Sequence, residues 1–131
     1  ITLAHELGHY LGLRHVFSEG GTTSMCTDTD YCKDTPSYNR SEYEQWLNNL
    51  DKQNKYQLKD LAKRYSCEKG EYEAHNIMDY AYCFYNEITL EQRKRIRHIL
   101  NYSPLIPGPK ESRIDTRGVQ GRLNLPICIM K

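Results

Sequence analysis

The sequence predicts a mainly α chain with long loops tethered by disulfides. Three observations carry that expectation. Apolar residues recur at helical spacing in four separate stretches. The segment between residues 14 and 40 lacks such periodicity and is rich in Gly, Ser, Thr and Asp. Five cysteines are spread through a chain of 131 residues, none of them at zinc-finger spacing. That length suits one small domain with a stable core. The net charge is +1 with both signs mixed, so composition points to neither nucleic acid nor a membrane surface. No apolar run approaches the roughly 18 residues of a membrane-spanning helix. There is no initiator Met and no signal peptide: the chain opens at Ile1-Thr2-Leu3-Ala4, inside the first expected helix.

That helix covers residues 1–13. Leu3, Ala4, Leu7 and Leu11 give it an apolar side, the histidines lie on a neighbouring face, and Gly12 supplies the positive φ of a C-cap. The loop that follows is of a length that needs a covalent or functional tether. Cys26 and Cys32 offer one. Asp28, Asp30, Asp34 and Thr35 offer another, because their oxygens suit a hard cation such as calcium; a solvated acidic turn fits the same residues. A second helix opens at Ser41, which stands at capping-box distance from Glu44, and buries Tyr43, Trp46, Leu47 and Leu50. A third places Leu58, Leu61, Ala62 and Tyr65 on one face, with Lys69-Gly70 as its stop. The last covers residues 89–102. It opens on the capping box of Thr89 and Gln92, buries Ile96, Ile99 and Leu100, and leaves Arg93, Lys94, Arg95 and Arg97 as a solvated basic face. Pro104, Pro107, Gly108 and Pro109 then end the periodicity, so residues 103–131 read as a tail or linker.

The chemistry concentrates in the first helix. His5-Glu6-Leu7-Gly8-His9 places two imidazoles four residues apart, on one helical face and aimed at a common point. Glu6 stands beside them, able to reach a metal-bound water without being a ligand. Gly12 lets the chain turn sharply and return His15 as a third ligand. Three neutral imidazoles with an open fourth position describe a catalytic zinc site rather than a closed structural one.

This run resembles the metzincin metallopeptidases, whose pattern continues in a Met-turn. Asn76-Ile77-Met78-Asp79-Tyr80 is the candidate for that turn. The resemblance implies that Met78 is a hydrophobic floor beneath the metal and that Tyr80 donates a hydrogen bond beside the reacting carbonyl. The cysteine-bearing loop with Asp34-Thr35-Pro36 between the two motifs is most similar to the pappalysin branch, over residues 1–102. That branch implies calcium and two disulfides in this region, and by analogy pairs Cys26 with Cys67 and Cys32 with Cys83, leaving Cys128 over. It also implies that residues 1–102 are the lower, C-terminal part of an α+β catalytic domain, without its sheet-bearing upper subdomain. Residues 81–86, with Tyr82, Phe84 and Tyr85, are then one wall of the pocket for the residue after the scissile bond. His75 reads as structural rather than as a fourth ligand, since the site needs its open position.

The expected function is that of a zinc-dependent endopeptidase, exported and monomeric, acting on a protein or peptide. Glu6 is the general base for a metal-activated water, and zinc and Tyr80 meet the developing oxyanion. One alternative is a non-catalytic zinc- or calcium-binding module used for binding or adhesion, which the intact Glu6 argues against. The other is a metzincin of the astacin-like or serralysin-like branch, which the Asp-Thr-Pro loop and the cysteine pattern argue against.

Overall fold

The computed structural model describes residues 2–18, 30–68 and 70–111. Within them the elements run α1 (Leu3–Tyr10), α2 (Arg40–Asn48), α3 (Leu58–Leu61), β1 (Lys63–Ser66), β2 (Gly70–Glu73) and α4 (Leu90–Tyr102). The architecture is therefore a small α+β one, not a mainly α one. No helix among the described residues is long and apolar enough to cross a membrane.

Helix α1 begins where the Thr2 hydroxyl accepts from the His5 amide at 3.4 Å. It closes in a Schellman turn: Gly12 N donates to His9 O and Leu13 N to Gly8 O, both at 2.9 Å, with Gly12 at φ 88°. The apolar side expected to be covered is open, with Leu3 at 82% exposure, whereas His5 and Gly8 are buried. Met78 explains the inversion. Its side chain is 0% exposed, and a Cβ added to Gly8 would lie 2.4 Å from its Sδ. The helix approaches the core through the position that has no side chain.

Helix α4 packs against the same turn. A Cβ on Gly12 would lie 2.9 Å from Ile99 Cγ1, and Arg95 Nε donates to Gly12 O at 2.6 Å. Arg95 is thus a tertiary brace and not part of a solvated basic face. The capping box of Thr89 and Gln92 forms as the spacing indicates. Residues 103–111 fold back on this helix through Glu111 N to Asn101 O (2.9 Å) and Lys110 Nζ to Leu100 O (2.8 Å), with Ile106 buried.

Helix α2 starts from Asn39, whose Oδ1 accepts from Glu42 N at 3.2 Å, so Ser41 lies inside the first turn and does not cap it. It buries Tyr43 in a cluster with Phe17 and Tyr38, while Trp46 stays largely in solvent. The third expected helix is a single turn. Residues 63–66 instead pair antiparallel with residues 70–73, Arg64 opposite Tyr72 and Tyr65 opposite Glu71. Gly70, expected as a helix stop, opens β2 at φ 81°. Strand alternation sends Arg64 inward between exposed Lys63 and Tyr65, and the partners waiting for Arg64 override the helical spacing.

Cys32 and Cys83 are free, buried thiols, so the pair expected between them does not form. Each is held in its own surroundings. Cys83 Sγ lies 3.3 Å from the carbonyl oxygens of both Ala74 and Asn76, beside buried Ala62. Cys32 sits with Asp30, near Asp34, Glu91 and Arg95. Burial pushes both thiols up to about 11, which keeps them protonated and unreactive. Cys26, and with it the expected pair to Cys67, lies outside the described residues, as does Cys128.

Candidate metal centre

The turn after α1 brings His15 back against His5 and His9, and the three ligand nitrogens lie within 4.8 Å of one another. Backbone carbonyls set the tautomers. His5 Nδ1 is 2.7 Å from Ile77 O and His9 Nδ1 is 3.0 Å from Leu13 O. A carbonyl can only accept, so each Nδ1 carries the proton and each Nε2 presents a bare lone pair. His5 Nε2 is buried with no hydrogen-bond partner. His9 Nε2 faces His15 Nε2 at 3.0 Å, a separation that asks for a proton or a cation between them. A buried orphan acceptor within a compact imidazole set fits one metal ion of the kind that takes nitrogen ligands, zinc foremost. Among the described residues this is the one cluster of His, Cys, Asp and Glu able to hold a metal ion.

Tyr80 completes the wall of the site. Its ring stacks on His5 at 5.0 Å and 21°, and lies 4.6 Å from the His15 ring. Its hydroxyl makes no hydrogen bond among the described residues. Glu6, next to His5, is exposed, and its carboxylate is similarly uncommitted. Met78 lies under Gly8, and His75 stands apart from the cluster. The His75 ring nitrogens are engaged by Asn86 Oδ1 (2.9 Å) and Glu73 Oε1 (2.7 Å), and its ring stacks on Phe84.

Two supports for the turn of residues 76–80 escaped sequence reasoning. The first is Arg64, 1% exposed, which donates through Nη2 to the carbonyls of Tyr82 (2.9 Å) and Tyr80 (3.2 Å), and through Nη1 to Leu61 O (2.9 Å). Its guanidinium lies 3.8 Å from the Tyr43 ring centre, and its Nε is 3.6 Å from Asp79 Oδ2. Asp79 also accepts from the Tyr38 hydroxyl and from Tyr80 N (2.7 Å). Burial pushes the Asp79 carboxyl up, while Arg64 draws it down less strongly. The second support is Gln92, whose amide exchanges two hydrogen bonds with that of Asn76, at 2.7 and 3.1 Å. The capping box of α4 therefore also latches the turn of residues 76–80.

The acidic loop does other work than the calcium reading asked of it. Asp30 spends its oxygens on Cys32 N (3.0 Å) and the Thr35 hydroxyl (2.7 Å). Asp34 accepts from Glu91 N (3.0 Å), and Glu91 accepts from Lys33 N (2.8 Å), docking the loop on the start of α4. With these oxygens satisfied by protein donors, the calcium site finds no support. Asp28 lies outside the described residues.

Residues 1–101 match the model of a peptidase family described as pregnancy-associated plasma protein-A. Over 98 residues the chain is 38% identical to proteins named extracellular metalloprotease from Arthroderma benhamiae, Trichophyton verrucosum and Arthroderma otae. Those alignments cover 72% of this chain and 29% of each relative, so the chain spans under a third of their length. No solved structure matches it.

Proposed function

The chain belongs to the pregnancy-associated plasma protein-A, or pappalysin, family of metallopeptidases, and from that premise we propose that it carries the catalytic centre of a zinc-dependent endopeptidase. The observation that carries the reading is the buried, partnerless Nε2 of His5 within the imidazole cluster of His9 and His15. Zinc held by these three residues would bring the pKa of a water to about 7 and polarise a substrate carbonyl. Glu6, exposed beside His5, takes the proton of the attacking water and returns it to the leaving amine. The Tyr80 hydroxyl, fixed by the ring's stack on His5, donates to the carbonyl oxygen as it gains charge. Met78 holds α1 at its closest approach and shapes the floor without moving a proton. The substrate is a protein or peptide, and the names of the relatives support an exported protein.

Replacing Glu6 tests the base directly. Glu6→Gln keeps the size and removes the basicity, so turnover should fall roughly 10²–10⁴-fold with zinc content unchanged. A Glu6→Gln protein that cleaves at the parent rate would remove Glu6 from the mechanism.

A further inference from the structure

A cavity of about 340 Å³ adjoins Tyr80, lined by Tyr38, Arg40, Tyr43, Glu44, Tyr80 and Ala81. Three of its six lining residues are tyrosines, and Arg40 and Glu44 are its charged residues. Arg40 is braced on three sides. Its Nε donates to Glu44 Oε1 at 2.7 Å, and its guanidinium carbon lies 4.9 Å from the Tyr80 ring centre and 5.2 Å from that of Phe17. Its two terminal nitrogens make no hydrogen bond among the described residues, and the side chain is 36% exposed. A guanidinium held by its Nε edge, with the Nη edge open, is prepared for a planar, bidentate anion. The amino end of α2, where Arg40 is the first residue, adds partial positive charge at the same place. Glu44 fixes the guanidinium from one side and repels an anion there, which confines docking to the open edge.

The position is what gives the cavity a use. The Tyr80 ring touches the Arg40 guanidinium and the imidazoles of His5 and His15, so Arg40 stands one ring away from the imidazole cluster. Each contact is about 5 Å, and an extended peptide advances roughly 3.3 Å per residue, which puts Arg40 within about three residues of the scissile bond. We propose that this cavity is a substrate subsite in which Arg40 binds a substrate carboxylate close to the scissile bond, supplied by an acidic side chain or by the substrate's own C-terminus. The inference rests on the peptidase reading of the neighbouring centre.

Binding to zinc-loaded Glu6→Gln protein tests the subsite without turnover. The probes are a neutral peptide with an amidated end, the same peptide with one Glu scanned along it, and the same peptide with a free C-terminal carboxylate. One carboxylate-bearing probe should bind roughly tenfold more tightly than the neutral one, and salt should erode the difference. Arg40→Gln should bring the ratio of the charged to the neutral probe's affinity down to one, and Arg40→Lys should keep part of it. Whether the Glu or the free terminus gives the gain identifies the source of the carboxylate. Equal affinity for all probes in the parent overturns the proposal, as does an Arg40→Gln protein that keeps the parent's ratio, which would make Arg40 only a brace for Tyr80. Failure of the peptidase reading shows elsewhere, as absence of cleavage by the unsubstituted, zinc-loaded protein.

Discussion

The Tyr80 ring is held by the imidazole of His5, stacked at 5.0 Å, and by the guanidinium of Arg40, 4.9 Å from its centre. Its ring orientation therefore does not depend on its hydroxyl. Tyr80→Phe should keep the stack and lose only the hydrogen bond to the oxyanion, lowering kcat roughly 10²-fold with zinc content and KM little changed. Steady-state kinetics check this, and an unchanged kcat would exclude the hydroxyl from the chemistry. Arg64 is the residue whose loss the fold would feel most. Arg64→Met leaves Asp79 buried and unpaired, and should cost about 3–5 kcal/mol in denaturant unfolding; a cost under about 1 kcal/mol would contradict the network described for it. The two cases differ in how far sequence exposes them. His5 and His9 are legible because their spacing is itself helix geometry, and His15 because Gly12 marks the turn that returns it. Arg64 looks no different from Lys63, and only strand alternation, with Asp79 and Tyr43 lying 15 and 21 positions away, separates a buried hub from a solvated neighbour.

Among elements, α1 owes its placement to two glycines rather than to its leucines. Gly8→Ala sets a methyl against Met78 Sδ in a buried site, and should destabilise the protein by about 1–3 kcal/mol and loosen the metal centre above it. Thermal unfolding together with a zinc-competition titration reads both effects, and a variant of parent stability and zinc affinity would show that Met78 does not set the approach of α1. Local rules predicted what local interactions decide. The Thr89–Gln92 box at α4 forms as read, but its second task, the amide exchange with Asn76, joins residues 16 apart and leaves no mark in either motif. Ser41 lost the cap of α2 to Asn39 because Ser18 and Tyr38 hold the preceding chain in bridges that fix where the helix can begin. The apolar spacing at 58–65 is common to a helix and to a turn followed by a strand, and Arg64's buried partners decided between them. The acidic loop lends the calcium reading no support for a similar reason, since the carboxylates of Asp30 and Asp34 cap its own turn and α4.

At the scale of the molecule, α1, the returning turn with His15, and the turn of residues 76–80 converge on the imidazole cluster, while α2 and the hairpin stand behind Tyr80 and α4 locks the returning turn. Leu3 and Leu7 of α1 remain exposed. The family was readable because its two motifs are short, ordered and chemically constrained; the sheet and the unpaired state of Cys32 and Cys83 were not, because they depend on contacts between segments that carry no local signature. If His5, His9 and His15 hold a single zinc, metal analysis of the purified chain beside His9→Ala reads it out. One zinc per chain, lost in His9→Ala, is the expected result. A chain that stays metal-free in excess zinc, or one whose zinc survives the substitution undiminished, would refute the site.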